Sequence, residues 1–289
     1  MTIAILGSKG QIGSALLRRL ATLFSCEEIT RIKLDCSNIR KVENFFSKNK
    51  FSTIINAVAF TNVDLAETHQ KEAVKLNIKL PQTLANIARS NDIPLIHFST
   101  DYVFDGLSNK PYKETDKPNP LNIYGSTKLK GDENIIKTNC QGIIFRVGWV
   151  FSANQNNFLN TIIKLSQIKN EIEVVNDQMG SPTSAELIAS ISAQLILKKL
   201  HNHPIKVINI SPAGIISWYE LANYLFKHYK QKTPIKLKPI TTSKLKKLAK
   251  RPKFSKLDSS LLEKTLGITM PTWQEGVNAF IKSKQCEKI

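Results

Sequence analysis

The first thirteen residues place the strongest constraint on the fold of this 289-residue chain. A short apolar, β-branched run, Thr2–Leu6, is followed by glycines at positions 7, 10 and 13 and then by a stretch with helical periodicity, Ser14–Leu20. Such a run is typical of a buried parallel strand. Glycines at this spacing allow a tight turn and bring backbone N–H groups of the helix N-terminus close to a diphosphate. An ordinary glycine-rich turn is the alternative, but the order of strand, loop and helix favours a nucleotide-binding site.

Strand and helix signals alternate along the rest of the chain. The predicted strands are Ile29–Leu34, Thr53–Val58, Pro94–Ser99, Ile143–Val147, Val174-Val175 and Val207–Ile210. The predicted helices include Val42–Phe46, Ala73–Ala88, Phe158–Ser166, Ser184–Leu200 and Trp218–Tyr229. Repeated βα units predict an α/β fold with a Rossmann-type doubly wound parallel sheet, which binds its ligands at the carboxyl ends of the strands.

Two interleaved domains are expected from this length and order of elements. Residues 1–150 are predicted to form the nucleotide-binding Rossmann domain, with strands from about 174–210 returning to it. Residues 151–289 are predicted to form mainly a smaller, mixed α/β substrate-binding domain.

The formal net charge of +18 raises the question of nucleic-acid binding. The lysines are spread along the chain, and the aromatic residues do not alternate with them as stacking platforms would. We therefore expect no nucleic-acid partner. Most lysines are interpreted as solvated surface residues. Part of the positive charge is interpreted as attracting a polyanionic cofactor and substrate to their site.

Cysteine usage and hydropathy favour a cytoplasmic protein. The four cysteines are scattered without a Cys-x-x-Cys motif, so neither a disulfide framework nor a metal site is expected. His69, His201, His203 and His228 show no metal-ligand spacing. The chain begins directly with the first strand, which predicts no signal peptide, and no apolar run reaches the roughly 18 residues of a membrane span.

Tyr124 and Lys128 are four residues apart, and Thr100 follows a predicted strand 24 residues upstream of the tyrosine. On a helix, side chains four apart project from the same face. A lysine ammonium beside a phenol favours the phenolate and lowers the tyrosine pKa, and a hydroxyl can hydrogen-bond the same oxygen. The three groups together can move a proton on and off an alcohol or carbonyl oxygen. By itself a Tyr-x-x-x-Lys pair is more often part of a solvated helix face.

Longer motifs extend across the chain. In order they are Gly7-x-x-Gly10-Gln11-x-Gly13, Asn56-Ala57, Thr61-x-Val63-Asp64-x-Ala66-Glu67, Ser99-Thr100-Asp101-Tyr102-Val103-Phe104-Asp105-Gly106, Glu114-Thr115-Asp116, Pro120-Leu121-Asn122-x-Tyr124-Gly125-x-x-Lys128, Arg146-x-x-Trp149-Val150, Asn176-Asp177-Gln178-x-Gly180-x-Pro182-Thr183, Arg251-Pro252 and Pro271-x-Trp273. With them the chain resembles the extended short-chain dehydrogenase/reductases and, within that superfamily, the dTDP-4-dehydrorhamnose reductases. The resemblance implies an NADPH-dependent oxidoreductase of dTDP-L-rhamnose biosynthesis, which supplies cell-surface polysaccharides. Its reaction would reduce the C4 keto group of dTDP-4-dehydro-L-rhamnose.

The same resemblance implies roles for individual residues. Tyr124 would donate a proton to the C4 oxygen, Lys128 would bind the nicotinamide ribose and lower the pKa of Tyr124, and Thr100 would hydrogen-bond the sugar oxygen. Substrate-binding positions would be Thr100, Asp101, Trp149 and Arg251, where a core aromatic and a solvated basic loop are the alternatives for the last two. Cofactor-binding positions would be Gly7, Gly10, Gln11, Ile12, Gly13, Arg31, Asp35, Cys36, Ala57, Ala59, Thr61, Tyr124 and Lys128.

Cofactor choice depends on Arg31 and Asp35. Asp35 lies about twenty residues beyond the glycines, a spacing that suits a ribose-binding acid and therefore NADH. The resemblance instead places Asp35 near the adenine and leaves Arg31 free to meet a 2′-phosphate. We expect NADPH, with NADH as the alternative.

The expected partner is a dTDP-sugar, and a homodimer is left open. Some relatives carry a metal at a dimer contact, so Mg²⁺ is considered. No site for it can be located, because the tail Lys282–Ile289 offers only Glu287 as an acid.

Other functions compatible with the motifs are a nucleotide-sugar epimerase or dehydratase that retains NAD⁺, and a non-catalytic regulatory subunit of the same fold. The first needs a further acid or base beside Thr100, where Asp101 stands. The second is disfavoured because Tyr124, Lys128 and Thr100 all occur together. His97, inside a predicted strand, is interpreted as a hydrogen-bonded core histidine. Asp64 and Glu67 are interpreted as helix-dipole partners rather than an acid/base pair.

Overall fold

A six-stranded, wholly parallel sheet organises the molecule, and its strands, taken in order across the sheet, begin at residues 206, 142, 95, 53, 2 and 25. The computed structural model describes residues 2–230, 235–245 and 247–286. The strands of this sheet are β1 (Thr2–Leu6), β2 (Ser25–Ile29), β3 (Thr53–Asn56), β4 (Leu95–Thr100), β5 (Gly142–Val147) and β10 (Lys206–Ile210). Near-continuous apolar sequences in β1, β3, β4 and β5 fit strands that are covered on both faces, whereas β2 carries Glu27 and Glu28.

Helices cover both faces of the sheet. They are α1 (Gln11–Leu20), α2 (Ile39–Lys48), α3 (Val63–Thr68), α4 (Gln70–Val74), α5 (Leu80–Ser90), α6 (Ile123–Lys137), α8 (Ala185–Leu197) and α10 (Ser260–Leu266), with a π-helical segment, Lys75–Lys79, joining α4 to α5. Alternate side chains of β1 enter opposite cores: Ile3 and Ile5 join one apolar cluster, and Ala4 and Leu6 join the other. The predicted Rossmann-type parallel sheet is confirmed.

The chain leaves β1 for β2 at one edge of the sheet and then crosses to β3 on the other side of β1. The carboxyl ends of β1 and β3 therefore form the topological switch point, where open α/β sheets bind their ligands. Gly7 follows β1 there, and Ala57 follows β3.

A third apolar cluster forms the core of the smaller half of the molecule. Its elements are β7 (Glu171–Val175), β12 (Lys236–Ile240), α7 (Phe158–Ser166), α9 (Trp218–His228) and α11 (Trp273–Cys286). Two-residue strands occupy the region between the halves: β6 (Val150–Phe151), β8 (Met179–Gly180), β9 (Thr183–Ser184) and β11 (Ile216–Ser217).

Two strand predictions need correction. The second strand is not Ile29–Leu34: β2 ends at Ile29, and a turn follows in which the Leu34 N–H donates to the Thr30 carbonyl. The strand at Val174-Val175 does not return to the large sheet, because β7 pairs with β12; of the strands between 174 and 210, β10 is the one that joins it.

None of the helices within the described ranges is long and apolar enough to cross a membrane.

Candidate active site

The loop after β1 forms a cradle that excludes side chains. Gly7 has φ of +76°, and a Cβ built there would lie 2.9 Å from the backbone of Ala57. A Cβ on Gly13 would lie 2.1 Å from the Gly7 carbonyl oxygen, so α1 can approach the loop only because position 13 is glycine. The first turn of α1 carries no acidic residue, and Gly10 caps it without a side chain. This turn leaves backbone N–H groups and a positive helix end available for a diphosphate, so the residues fit a dinucleotide.

A cavity of about 490 Å³ extends from the cradle past the end of β2. Because β2 ends at Ile29, Thr30 and Arg31 come directly after the strand. Arg31 is exposed and lines this cavity. Asp35 lines it too, but its Oδ1 already accepts from the Ser37 N–H at 3.0 Å and from the Ser37 hydroxyl at 2.7 Å, which lowers the pKa of the Asp35 carboxyl.

A second cavity, of about 720 Å³, lies on the other side of the cradle and shares Gly10 and residues 57–59 with the first. Tyr124, from the first turn of α6, and Thr100, from the end of β4, both line it. Desolvation raises the pKa of Tyr124 to about 12. A hydrogen bond with the Thr100 side chain lowers this pKa, but by less than burial raises it. At neutral pH the phenol is therefore protonated and can act as a proton donor.

Asp101 is buried at the floor of this cavity, and burial raises the pKa of its carboxyl to about 6. Its Oδ1 accepts from the Thr100 hydroxyl at 3.0 Å. Gly148, which follows β5, leaves room for this carboxyl, since a Cβ there would lie 2.6 Å from Asp101 Oδ2.

Lys128 also lines the second cavity, but its side-chain nitrogen contacts buried groups of β4. Nζ lies 3.1 Å from Nε2 of His97 and 2.5 Å from the Phe98 carbonyl oxygen, and the side chain is 1% exposed. Burial lowers the pKa of Lys128 to about 8, and the charge of Asp132 opposes this shift. Burial raises the pKa of the Tyr124 phenol, whereas the sequence predicts that Lys128 lowers it.

An aromatic pair forms one wall of the second cavity. The rings of Trp149 and Trp218 are stacked, with centroids 3.4 Å apart and planes within 5°. Trp149 has φ of +50°, and its Nε1 donates to the Ser255 hydroxyl at 3.1 Å. A Cβ on Gly180 would lie 2.4 Å from the Trp149 ring, so that glycine covers the indole closely.

Arg251 lines neither cavity, although its guanidinium interacts with Tyr102, which lines the second one. Its guanidinium donates two hydrogen bonds to the Asp64 carboxylate, at 3.2 and 2.7 Å. Asp64 therefore forms an ion pair rather than acting only on a helix dipole. Glu67 does act at a helix N-terminus, where its Oε1 accepts from the Ile123 N–H of α6.

The remaining predicted positions divide between the two cavities. The cavity beside β2 is lined by Gly7, Gly10, Arg31, Asp35, Cys36, Ala57 and Ala59. The cavity beside α6 is lined by Gly10, Gln11, Ile12, Ala57, Ala59, Thr61, Thr100, Asp101, Tyr124, Lys128 and Trp149. The side chain of Gln11 is held by the chain itself, since its Oε1 accepts from Ser152 and Asn157. Gly13 lies beneath the cradle.

Sequence reasoning missed Trp218, His97 in contact with Lys128, and Asp132 one turn beyond that lysine. Only Asp132 had a signal in the sequence: positions 124, 128 and 132 recur every four residues, which places them on one helix face.

No group of three or more His, Cys, Asp or Glu side chains in the described part of the chain could hold a metal ion. Glu287, considered above for Mg²⁺, lies outside the described residues.

A parallel sheet with a glycine cradle at its switch point, and a Tyr-x-x-x-Lys helix beside that cradle, defines the extended short-chain dehydrogenase/reductase class. A family model described as "RmlD substrate binding domain" matches residues 1–286. The chain belongs to that family, whose curated members include dTDP-4-dehydrorhamnose reductases.

Relatives and solved structures agree. The chain is 33% identical over 290 residues to the dTDP-4-dehydrorhamnose reductase of Escherichia coli K12, with 97% of each chain covered. A crystal structure of a dTDP-4-dehydrorhamnose reductase from Clostridium acetobutylicum superposes with a TM-score of 0.92 at 34% identity, covering 99% of this chain and 100% of that one. The Bacillus anthracis enzyme in complex with NADP gives 0.91 at 30% identity, covering 98% and 99%.

Proposed function

We propose that this protein reduces the C4 keto group of dTDP-4-dehydro-L-rhamnose to give dTDP-L-rhamnose, with NADPH as the hydride donor. The observation that carries the proposal is the meeting of Tyr124, Thr100 and Lys128 in one cavity that is continuous with the glycine cradle. A proton donor and a dinucleotide site thereby share one cleft. Family membership and the NADP-bound relative support the same conclusion.

In this proposal the chain positions the sugar and supplies the proton. When bound, the nicotinamide supplies the hydride. Tyr124 donates its phenolic proton to the C4 oxygen as negative charge develops there, and Thr100 holds that oxygen by a hydrogen bond. Asp101 and the Trp149 ring line the sugar side of the cleft.

The preference for NADPH is proposed from Arg31. This guanidinium follows β2 directly and has no partner among the ion pairs found in the described residues, so it is free to bind a 2′-phosphate. Asp35 is less suited to a ribose, because Ser37 occupies one of its oxygens. Guanidinium and phosphate form charge-assisted hydrogen bonds that NADH cannot make.

The role of Arg251 in binding the substrate stays a prediction. Its ion pair with Asp64 supports a structural role instead. A dTDP-sugar is the proposed substrate, and a cytoplasmic location is proposed from the free cysteines, two of which are buried. A homodimer remains an expectation.

The direct test supplies purified protein with NADPH and dTDP-4-dehydro-L-rhamnose, follows absorbance at the NADPH band, and identifies the sugar product by NMR. Consumption of one NADPH per dTDP-L-rhamnose formed is expected. Protein that carries tightly bound NAD⁺ and consumes no NADPH would indicate an epimerase or dehydratase. Binding of both ligands without turnover would indicate a regulatory subunit.

A further inference from the structure

Lys128 and Asp132 are ionisable residues of opposite sign buried on one face of α6. They are four residues apart, so their side chains leave the helix one turn from each other. Each residue is 1% exposed. An isolated ammonium or carboxylate is strongly disfavoured at such depth, because it loses its hydration without gaining a partner. Each of the two charges must therefore be balanced by protein groups around it.

One carboxylate oxygen of Asp132 is not used by a hydrogen bond. Oδ2 accepts from the hydroxyl of Ser99, in β4, at 2.5 Å. Oδ1 is buried and has no hydrogen-bond partner among the described residues. It lies 3.9 Å from Nε2 of His97, and the same nitrogen lies 3.1 Å from Lys128 Nζ. The unused oxygen of Asp132 and the nitrogen of Lys128 therefore approach one imidazole nitrogen.

The contacts of Lys128 with β4 supply no negative charge. Its Nζ donates to the Phe98 carbonyl oxygen at 2.5 Å. The His97 ring beside it is neutral, because burial and the charge of Lys128 lower the pKa of that imidazole. Dipoles alone thus surround the ammonium on the strand side. The balancing charge has to come from a carboxylate, and Asp132 is the one placed on the same helix face.

We propose that Asp132 is a positioning residue that keeps Lys128 a charged ammonium at neutral pH, while Ser99 and Arg146 keep the Asp132 carboxylate ionised. Asp132 lines neither cavity, so it acts through Lys128 and not on a ligand. Burial lowers the pKa of Lys128, and the charge of Asp132 limits that fall, which leaves the pKa at about 8. Lys128 is then protonated at pH 7 by a narrow margin, and that margin depends on Asp132.

The groups around Asp132 keep it ionised at the same pH. Burial raises the pKa of its carboxyl to about 6, and the charge of Lys128, the Ser99 hydroxyl and the charge of Arg146 oppose that rise. Arg146 lies opposite Ser99 where β5 pairs with β4, which places both residues on one face of the sheet. At pH 7 the carboxylate is therefore charged and has a cation on the helix and another on the sheet.

The other ionisable groups near this face do not replace Asp132. Tyr124, one turn before Lys128, is an uncharged phenol at neutral pH, and the charge of Asp101, after β4, acts on that phenol by raising its pKa. Glu133, the next residue of α6, is exposed and forms an ion pair with Lys130 at 3.0 Å. The charge that raises the pKa of Lys128 is that of Asp132.

The consequence for catalysis rests on the proposed function. When Tyr124 gives its proton to the C4 oxygen, a phenolate is left, and a charged Lys128 on the same helix face stabilises it. Lys128 loses that charge as pH rises through its pKa of about 8, so turnover should fall over the same range. Asp132 thereby sets the alkaline limit of the reaction without contacting either ligand.

The first test follows the charge of Lys128 in Asp132→Asn. The amide has nearly the shape of the carboxylate and can still accept from Ser99, but it carries no charge. The titration midpoint of Lys128, from ¹³C NMR of the lysine ε-carbons assigned with Lys128→Met, should fall by about one pH unit or more. The alkaline limb of the kcat/KM profile should move with it. An unchanged midpoint overturns the proposal, and a limb that stays in place while the midpoint falls overturns its consequence for turnover.

The second test measures the same coupling from the other side and does not depend on the folding of Asp132→Asn. Lys128→Met removes the ammonium, so the midpoint of Asp132 should rise from about 6. Because coupling between two sites is reciprocal, this rise should match the fall of the Lys128 midpoint in size. ¹³C NMR of the aspartate carboxyl carbons, assigned with Asp132→Glu, measures it. An Asp132 midpoint that stays at its wild-type value in Lys128→Met refutes the pairing.

Lys256 and Glu133 provide matched controls. Burial also lowers the pKa of Lys256 to about 8, but this lysine contacts Ser211, just beyond β10. Its midpoint, read in the same spectra, should not change in Asp132→Asn. Glu133→Gln removes the exposed carboxylate next to Asp132 and should leave the Lys128 midpoint unchanged.

Asp132→Glu separates charge from packing. It keeps the negative charge and changes the shape, so it should hold the Lys128 midpoint closer to wild type than Asp132→Asn does. A midpoint as low as that of Asp132→Asn would mean that lost packing, and not lost charge, lowers it. Loss of turnover in Tyr124→Phe tests the proposed function separately, because both titrations can be read in protein without turnover.

Discussion

At the scale of single residues, the hydroxyl of Tyr124 is the group on which the proposed chemistry depends. Tyr124→Phe removes that one oxygen and leaves the ring to pack in an edge-to-face contact with Tyr102. We expect cofactor binding to persist and kcat to fall by about 10²–10⁴-fold, the usual contribution of general acid catalysis. Steady-state kinetics with NADPH and the keto sugar measures the loss.

Tyr112→Phe is the control for this change. Its hydroxyl is also hydrogen-bonded, donating to Asp105 at 2.9 Å, but Tyr112 lines neither cavity. It should lower stability by about 1 kcal/mol and leave kcat unchanged. Turnover of Tyr124→Phe within two- or threefold of wild type would exclude this tyrosine as the proton donor.

Arg31 decides between the two cofactors. Arg31→Ala should weaken NADPH binding by roughly ten- to more than a hundredfold, the effect of losing a charge-assisted hydrogen bond, and should leave NADH binding nearly unchanged. Fluorescence titrations with both cofactors measure this difference. Arg89→Ala, which removes an exposed arginine from the last turn of α5, should change neither affinity.

Equal losses for NADH and NADPH in Arg31→Ala would contradict the proposed phosphate contact. A wild-type preference for NADH that Asp35→Ala removes would assign the ribose to Asp35 instead.

Residue-scale prediction succeeded where spacing along one element determines geometry, and failed where side-chain direction determines it. Tyr124 and Lys128 share a helix face because they are four apart, and Thr100 meets them because its strand ends at the same sheet edge. Nothing in that spacing shows that Lys128 extends inward to His97. The stacking of Trp218 on Trp149 joins residues 69 positions apart through a positive-φ backbone, which no local pattern encodes.

At the scale of elements, helix α6, which carries Tyr124 and Lys128, is held against the π-helical segment Lys75–Lys79. Asn77, inside that segment, bonds the backbone of Phe60 and donates to the Thr127 hydroxyl at 3.1 Å. The helix comes this close because position 131 is glycine: a Cβ there would lie 2.1 Å from the Asn77 carbonyl oxygen.

Gly131→Ala should therefore destabilise the protein by about 1–3 kcal/mol, as overpacking against a backbone atom does, and should lower kcat by shifting Tyr124 and Lys128. Denaturant unfolding and steady-state kinetics measure the two effects.

Gly276→Ala, inside α11, is the matched helical control. A Cβ there would meet its nearest atoms at 3.4–3.5 Å, which is ordinary contact. It should therefore raise stability by roughly 0.5–1 kcal/mol, because alanine favours a helix over glycine. Equal effects of the two substitutions would show that the approach of α6 to the π-helical segment is not close.

Elements buried on both faces could be predicted; of the two edge strands, β10 overlaps its prediction and β2 does not. β1, β3, β4 and β5 are continuous apolar runs, and each prediction overlaps the observed strand. β2 is at the sheet edge, with Glu27 and Glu28 in ion pairs with Lys33 and Lys9. A strand with two half-buried glutamates lacks the apolar signal of a fully buried one, so the sequence pattern favours the more apolar stretch after it.

At the scale of the whole molecule, residues 251–259 connect its separate parts. Arg251 binds Asp64 of α3, and Ser255 accepts from Trp149 in the cavity wall. Lys256 donates to the Ser211 hydroxyl at 2.9 Å and to the Pro212 carbonyl, just beyond β10. No prediction from local sequence could place this segment, because these contacts join distant parts of the chain.

Because Lys256 is buried, its contribution to the free energy of unfolding depends on pH. It is 7% exposed, and burial lowers its pKa to about 8 from the ordinary 10.5, against the raising charges of Asp258 and Glu263. Between pH 8 and 10.5 the unfolded chain binds the proton and the folded chain does not, so this residue makes stability rise with pH across that window.

Lys256→Met should remove the pH dependence that Lys256 contributes. Denaturant unfolding at pH 7.5 and at pH 9.5 measures the free energy of unfolding of both proteins. The difference, wild type minus variant, should increase by about 2 kcal/mol from the lower pH to the higher one. Lys253→Met, an exposed lysine three residues earlier, should show no such change. A difference between wild type and Lys256→Met that stays constant with pH would mean that Lys256 remains charged in the folded protein, held by its carbonyl and hydroxyl partners.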